Sequence, residues 1–234
     1  MSGCEILHVD GIECTVEPYR WAYAETHDDA IRAHWAELAA RKASVFDGRV
    51  LMMHRHAIEH GVLRGGCFET AYSRFIGWRD FGCVDRAVRN VFGMAALRAA
   101  DGAFLVGEMG AHTASAGKVY FPAGTPDLSD VRDGRMDLEG SVLRELQEET
   151  GLSPDAVAVV AGWTLVVAGP RIACMREIVL GTGAEKAAAS INATLASQQD
   201  PELCSVHVVR DAGEALRYDM PEFMLAYLRH AFGA

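Results

Sequence analysis

The stretch Arg144-Glu145-Leu146-Gln147-Glu148-Glu149-Thr150-Gly151-Leu152, led into by Tyr120-Phe121-Pro122-Ala123-Gly124, decides the reading of this chain. Spacing predicts a helix over Leu138–Thr150, on which Leu138, Val142 and Leu146 recur every fourth residue as a narrow apolar stripe. Glu145, Glu148 and Glu149 stand at i, i+3 and i+4 and so share one side of that helix. At about 100° per residue, Glu149 falls almost on the apolar stripe and Glu145 beside it. Carboxylates crowded together and turned toward a core repel one another and lose hydration unless a cation binds them. A hard divalent cation such as Mg²⁺, which prefers oxygen ligands, answers that need. Arg144 precedes Glu148 by four residues and is placed to hold its carboxylate. Gly151 ends the helix where a left-handed residue is needed. A solvated, charged helix face is the plain alternative, and the neighbouring residues weigh against it.

Those neighbours make Arg-Glu-Leu-x-Glu-Glu-x-Gly-Leu resemble the second half of the nudix box, and Phe121-Pro122-Ala123-Gly124 resembles that family's strand-to-loop lead-in. The first half departs from the family pattern, which runs Gly, five residues, Glu, seven residues, then Arg-Glu. Counting back from Arg144 puts Met136 in the Glu place and Asp130 in the Gly place. Counting forward from Gly124 instead reaches Asp130, an acidic stand-in, after five residues. Thirteen residues, not seven, then separate it from Arg144, so the resemblance implies a loop lengthened by about six within Asp127–Gly134.

The resemblance implies an α/β (α+β) fold: a nudix α-β-α sandwich with a mixed sheet over residues 88–234, preceded by an N-terminal α/β extension over residues 1–87. It also implies a hydrolase that cleaves a nucleoside diphosphate linked to another group, using water and Mg²⁺ or Mn²⁺. Glu145, Glu148 and Glu149 are then the metal ligands and catalytic residues, the Gly124 carbonyl adds a ligand, and Arg144 orients the carboxylates. Glu202 resembles the acid that some nudix enzymes set opposite the box as an extra ligand or base; a surface loop carboxylate reads equally well. Arg171, Arg176, Lys118 and His112 are candidates for substrate binding, against the plainer reading of exposed charges. Substrate identity stays open. His34-Trp35, Phe46-Asp47-Gly48 and Ile76–Phe81 resemble the leading unit of proteins related to UDP-sugar diphosphatases, whereas Phe223–Leu228 resembles larger enzymes acting on coenzyme A derivatives. An ADP-ribose type of substrate stands beside these two. The rival reading is a non-catalytic nudix module that binds a nucleotide as a sensor or regulator. A structural helix in an unrelated α/β fold is a third.

At 234 residues, half of them hydrophobic, the chain can bury one large core or two small ones. No apolar run reaches the roughly 18 residues of a membrane span, and the start lacks the basic and apolar regions of a secretory signal. Six scattered cysteines without a Cys-x-x-Cys pair read as reduced thiols, so the expected location is cytoplasmic. A net charge of −10 argues against nucleic acid as a partner. It leaves a small nucleoside diphosphate substrate acceptable, because a metal and a few arginines can reverse the potential inside one cleft. Many nudix enzymes dimerise, so the resemblance leaves a homodimer open, and no stretch of sequence fixes an interface.

Taken in order, Glu5–Val9 and Ile12–Glu17 predict two strands joined as a hairpin at Asp10-Gly11. Thr26–Lys42 predicts a helix capped by Thr26, with Ile31, Trp35 and Leu38 inward. Three strands (50–53, 57–63 and 67–72) follow, with a turn at Gly65-Gly66. His54, His56 and His60 within this region lack a metal-site pattern and are explained by strand alternation. Ser73–Phe81 carries buried aromatics, and Asp85–Asn90 is the expected junction, packed rather than flexible. Strands are predicted over 91–98, 103–108, 118–121, 157–168, 171–180 and 203–209, and helices over 184–196 and 221–232.

Overall fold

The computed structural model describes residues 3–41, 45–113 and 115–234. Its first two strands, β1 (Glu5–Val9) and β2 (Gly11–Val16), are separated by Asp10 alone, yet they lie in different sheets. The hairpin expected at Asp10-Gly11 therefore does not form. The Asp10 N–H donates to the Gly61 carbonyl at 2.6 Å, and each strand finds a longer partner elsewhere. Splitting them lets Val9 and Cys14 enter one core from two sides. β2 alternates as its sequence requires, with Cys14 buried and Glu13 and Thr15 exposed.

Two helices, α1 (Ala22–Thr26) and α2 (Asp28–Arg41), replace the single one expected. The Thr26 hydroxyl donates to the Ala22 carbonyl at 2.9 Å, so this residue closes α1 instead of capping α2; Lys42 lies outside the described residues. Next, β3 (Arg49–Glu59) and β4 (Val62–Ala71) form one long hairpin that turns at His60-Gly61, where both residues have positive φ. The expected turn at Gly65-Gly66 is absent. Both glycines lie inside β4, and a Cβ on Gly66 would meet Arg55 Nε at 2.7 Å and His54 Nε2 at 2.9 Å. These glycines serve close packing rather than reversal. His54 instead lies 2.7 Å from Glu17, and no histidine group capable of holding a metal occurs among the described residues. α3 (Tyr72–Asp80) buries Phe75, Ile76 and Trp78 against Trp21, Ile31 and Phe68 in a small core of its own.

The remaining chain builds the larger layer. β5 (Asn90–Arg98), β6 (Phe104–Met109), β7 (Val119–Tyr120) and β8 (Ala123–Gly124) precede the short strands β9 (Val131–Arg132) and β10 (Arg135–Met136). Then come α4 (Leu138–Thr150), β11 (Ala158–Val159), β12 (Trp163–Ala168) and β13 (Arg171–Val179). α5 (Ala184–Leu195), β14 (Leu203–Val209), α6 (Ala212–Ala215) and α7 (Glu222–Phe232) complete it. The mixed sheet runs β1-β12-β13-β5-β6-β14, with β13 and β5 parallel, and the short strands β7, β8 and β11 pair with β6, β5 and β13. β5 is buried on both faces: Val91, Ala95 and Leu97 join a core with α4 and α5, while Phe92, Met94 and Ala96 join one with α7. That arrangement is an α-β-α sandwich.

The smaller sheet, β3-β4-β2-β10-β9, takes its last two strands from the lengthened box loop. In exchange, β1 joins the larger sheet through β12. α4 sits directly on β5 because Gly93 has no side chain: a Cβ there would collide with Val142 and come within 3.2 Å of Leu138. Gly93→Ala should therefore lower stability by about 1–3 kcal/mol. Urea unfolding would show a lower midpoint with an unchanged slope, and an unaltered midpoint would mean that α4 yields freely.

Candidate active site

Helix α4 begins at Asp137, whose side chain accepts the Gly140 N–H at 2.9 Å, and ends at Gly151, where φ is 74°. Leu138, Val142 and Leu146 are buried on the predicted stripe. Its glutamates sit at graded depth: Glu149 is only 4% exposed as a residue, Glu145 is largely covered, and Glu148 reaches solvent. The lead-in residues Ala123-Gly124 form β8, which pairs with β5 through Gly93 and Gly124 and so lies over the acidic side of α4.

Two features of this contact suit a cation. The Ala123 backbone hydrogen-bonds the Glu149 carboxylate, but Glu149 Oε2 is buried without any hydrogen-bond partner. The Glu145 carboxylate is pressed so closely on Gly124 that a Cβ there would collide with its Oε1. Burial pushes the Glu145 carboxyl up to about 7; the Arg144 charge opposes this, while Glu148 and Glu202 add to it. Burial, then Glu145 and Glu202, push Glu149 well above the carboxylate range. An all-oxygen donor set with one orphaned buried oxygen and a side-chain-free backbone cradle fits a hard divalent cation. The carboxylates stand apart rather than in a closed group: among the described residues no cluster of three or more potential ligands is tight enough to hold a metal as it stands. Arg144 explains the spacing, since its Nη1 lies 2.9 Å from Glu145 and 3.0 Å from Glu148.

The other arm of Arg144 shows what the altered half of the box does. Nη2 donates to both oxygens of Asp130, at 3.1 and 3.3 Å. Asp130 is 4% exposed and also accepts the Asp127 N–H at 3.1 Å, within a tight turn capped in return by Asp127. The acidic stand-in thus anchors the arginine of the box. The lengthened loop beyond it is the β9–β10 hairpin, turning at Asp133-Gly134 with both φ values positive, and β10 pairs with β2.

Glu202 and His112 line a cleft of about 470 Å³ together with Glu145 and Gly124. Lys118 and Arg171 line an adjoining space of about 840 Å³ that shares Tyr72, Arg79, Tyr120 and Gly124 with the first. Lys118 is paired with Asp219 at 2.7 Å. Arg176 does not join them. It binds Glu139 at 2.6 Å and the Gly162 carbonyl at 2.5 Å, and its guanidinium lies 4.9 Å from the Trp163 ring centre. Arg176 stands five positions beyond Arg171, an odd offset, so on one strand they must face opposite ways, and only the first can reach the cleft. Sequence reasoning attached no role to Tyr72, Arg79, Asn90 or Phe223, which the fold gathers here from α3, β5 and α7. No local pattern marks them as a group, because the elements that carry them are far apart in the chain.

No protein-family model matches the chain, and no curated protein matches it. Solved structures similar to it include nudix proteins. The nudix hydrolase RenU from M. smegmatis is 14% identical, with 60% of this chain and 81% of that one covered and a TM-score of 0.38. The MutT protein from Methanosarcina mazei is 18% identical over 61% and 92% of the two chains, with a TM-score of 0.39. The NUDIX domain of Shewanella oneidensis NrtR, complexed with ADP ribose, is 17% identical over 61% and 86%, with a TM-score of 0.41.

The geometry of the carboxylates can be tested at both ends. Asp130→Ala removes the buried anchor of Arg144 and should cost about 1–3 kcal/mol, read from chemical unfolding. An unchanged unfolding midpoint would show that Arg144 is held without it. A carboxyl raised in the folded state contributes stability below its ordinary value of 4.5 and loses it as pH rises through the folded value, about 7 for Glu145. Without divalent cations, the melting temperature should therefore fall across that window, and Mg²⁺ should restore it. Glu149→Gln, which cannot ionise, should melt higher than the parent protein at about pH 8 and gain nothing from Mg²⁺. A variant that melts lower and still responds to Mg²⁺ would contradict the assignment.

Proposed function

We propose that the chain is a metal-dependent nudix hydrolase that cleaves the pyrophosphate bond of a nucleoside diphosphate derivative. The observation that carries this reading is Glu149 Oε2, buried and unpartnered, beside a Glu145 carboxylate laid against Gly124. Glu145, Glu148, Glu149 and the Gly124 carbonyl would hold Mg²⁺ or Mn²⁺, which supplies charge neutralisation at the pyrophosphate and a more acidic bound water. Around that centre the chain's own residues position and orient. Arg144 keeps Glu145 and Glu148 in place, and Asp130 fixes Arg144 from the loop side. Glu202, in the same cleft as Glu145, is assigned as an added ligand or as the base that takes a proton from water on its carboxylate. His112, Lys118 and Arg171 line the path of the phosphates and the attached group, whether sugar, coenzyme A or ADP-ribose in type. Phosphoryl transfer depends mainly on such positioning and charge stabilisation. The extension over residues 1–87 contributes Tyr72 and Arg79 to the cleft, which gives it a part in substrate choice. A cytoplasmic enzyme is proposed, and among the described residues no helix is long and apolar enough to cross a membrane.

The sensor reading draws on one observation: Arg144 occupies Glu145 and Glu148, so a nucleotide could bind beside a site that never closes on a metal. Product analysis separates the two. UDP-sugars, ADP-ribose, coenzyme A, dinucleoside polyphosphates and nucleoside triphosphates would be offered with Mg²⁺ or Mn²⁺. The hydrolase reading expects turnover of one class and a loss of at least about 10²-fold in Glu148→Gln. Binding without turnover across that panel would favour the sensor.

A further inference from the structure

β1 is the edge strand of the larger sheet, held along one side by β12. Its alternation turns Ile6 and His8 to the face that α7 covers, and Leu7 and Val9 to the α4 side. On the α7 face, His8 Nε2 lies 3.1 Å from Nε2 of His230, which stands in the last turn of α7 and 222 positions along the chain. The ring centres are 5.1 Å apart, so the two imidazoles meet by their nitrogen edges and not by their faces. Both side chains are open to solvent. His8 stands level with Thr164 in the β1–β12 register, and its Nδ1 is 3.2 Å from the Thr164 hydroxyl oxygen. With its proton on Nδ1, His8 donates to that oxygen and presents a lone pair on Nε2. A cavity of about 330 Å³ adjoins the pair, lined by His8, Thr164, Asp10 and Glu177 among others, and by no lysine or arginine. Glu177 is paired with Arg98, whereas Asp10 forms no ion pair among the described residues, so negative charge gathers beside the imidazoles.

We infer that His8 and His230 form a second metal site, a two-histidine clamp for a divalent transition ion of the Zn²⁺ type that joins the first strand to the last helix. Two Zn–N bonds of about 2.0–2.1 Å, set between a right angle and the tetrahedral angle, place their nitrogens about 2.9–3.4 Å apart. The observed separation falls inside that range. A bare hydrogen bond between imidazoles satisfies the same distance; the Thr164 contact, which orients His8, and the acidic cavity are what favour an ion. Among the described residues no third histidine, cysteine or carboxylate joins the pair, so water completes the coordination. In the metal-free pair one Nε2–H donates to the other nitrogen. On the metal, that proton moves to Nδ1 of His230, and both Nε2 lone pairs face the ion. Imidazole suits Zn²⁺, Cu²⁺ and Ni²⁺, whereas Mg²⁺ takes oxygen ligands, so this clamp and the α4 carboxylates select different ions. The clamp lies on the opposite face of the sheet from α4 and needs no part of the proposed hydrolytic centre. By fastening an edge strand to α7 it stabilises the folded chain in step with its occupancy.

The test is calorimetric titration of the full chain, free of any affinity tag, with Zn²⁺ in the presence of excess Mg²⁺ to occupy oxygen-rich sites. His8→Ala, His230→Ala and the double variant are titrated beside the parent protein. The expected result is one Zn²⁺ per chain whose affinity falls at least about tenfold in either single variant. The double variant should fall no further, because one imidazole alone does not chelate. The melting temperature of the parent should rise with Zn²⁺, and that response should be lost in all three variants. X-ray absorption at the zinc edge, on the parent loaded with one equivalent, should show two histidine nitrogens at about 2.0–2.1 Å with oxygens in the remaining places. Zn²⁺ held equally well by the parent and the double variant would overturn the site, as would no binding at all. A spectrum of sulfur ligands, or of oxygen ligands alone, would do the same. Because the spectrum is read on the parent protein, it decides the matter even if a variant fails to fold.

Discussion

The structure depends on a carboxylate held where an apolar side chain would ordinarily sit. Glu149 lies next to the Leu138–Val142–Leu146 stripe of α4, under the β8 backbone, and one of its oxygens has no partner. Burying a charge costs several kcal/mol unless it is paired, so a helix with this sequence is stable in this position only with the carboxyl neutral or a cation beside it. The surroundings are arranged around that constraint. Gly93 lets α4 rest on β5, Gly124 lets the backbone approach Glu145, and Gly151 ends the helix after the arginine-anchored segment. Each position excludes a side chain for a separate steric reason, and together they set how α4 meets β5 and β8.

Arg144 is the counterpart of that constraint. Its guanidinium divides between Asp130 on the loop and Glu145 and Glu148 on the helix, so three carboxylates depend on one cation. Because Asp130 leads straight into the β9–β10 hairpin, and that hairpin extends the smaller sheet, the acidic face of α4 is coupled to the N-terminal part of the chain. β1 makes the reciprocal connection by completing the larger sheet at β12. The two sheets thus exchange strands, and the cleft draws α3 from one part and β5, β8 and α7 from the other.

How much of this was legible in sequence depends on the range of the interactions. The helix over Leu138–Thr150, its αL stop at Gly151 and the Arg144–Glu148 pair are local, set by spacing within four residues, and they stand where the sequence places them. The strand at Leu203–Val209 is equally local. Pairing is not: Asp10-Gly11 is a sound turn signal, but β1 and β2 each gain more from distant partners than from one another. Gly65-Gly66 is likewise ambiguous in sequence, since glycine serves both turns and close packing, and only the presence of His54 and Arg55 across the strand decides between them. The placement of Arg176 was within reach, because its odd separation from Arg171 already puts the two on opposite faces of β13. The cleft over Asn90 and Phe92 was not, being assembled from elements up to about two thirds of the chain apart that carry no shared pattern.

The central claim is that Glu145 and Glu149 are buried in order to hold a divalent cation against the Gly124 backbone. Anomalous diffraction from crystals grown with Mn²⁺ tests it most directly. The account predicts an anomalous peak bonded to Glu149 Oε2, with Glu145 turned from Arg144 toward the ion. Crystals with Mn²⁺ at other positions, and Glu149 Oε2 satisfied by an ordered water or a side-chain donor, would contradict it.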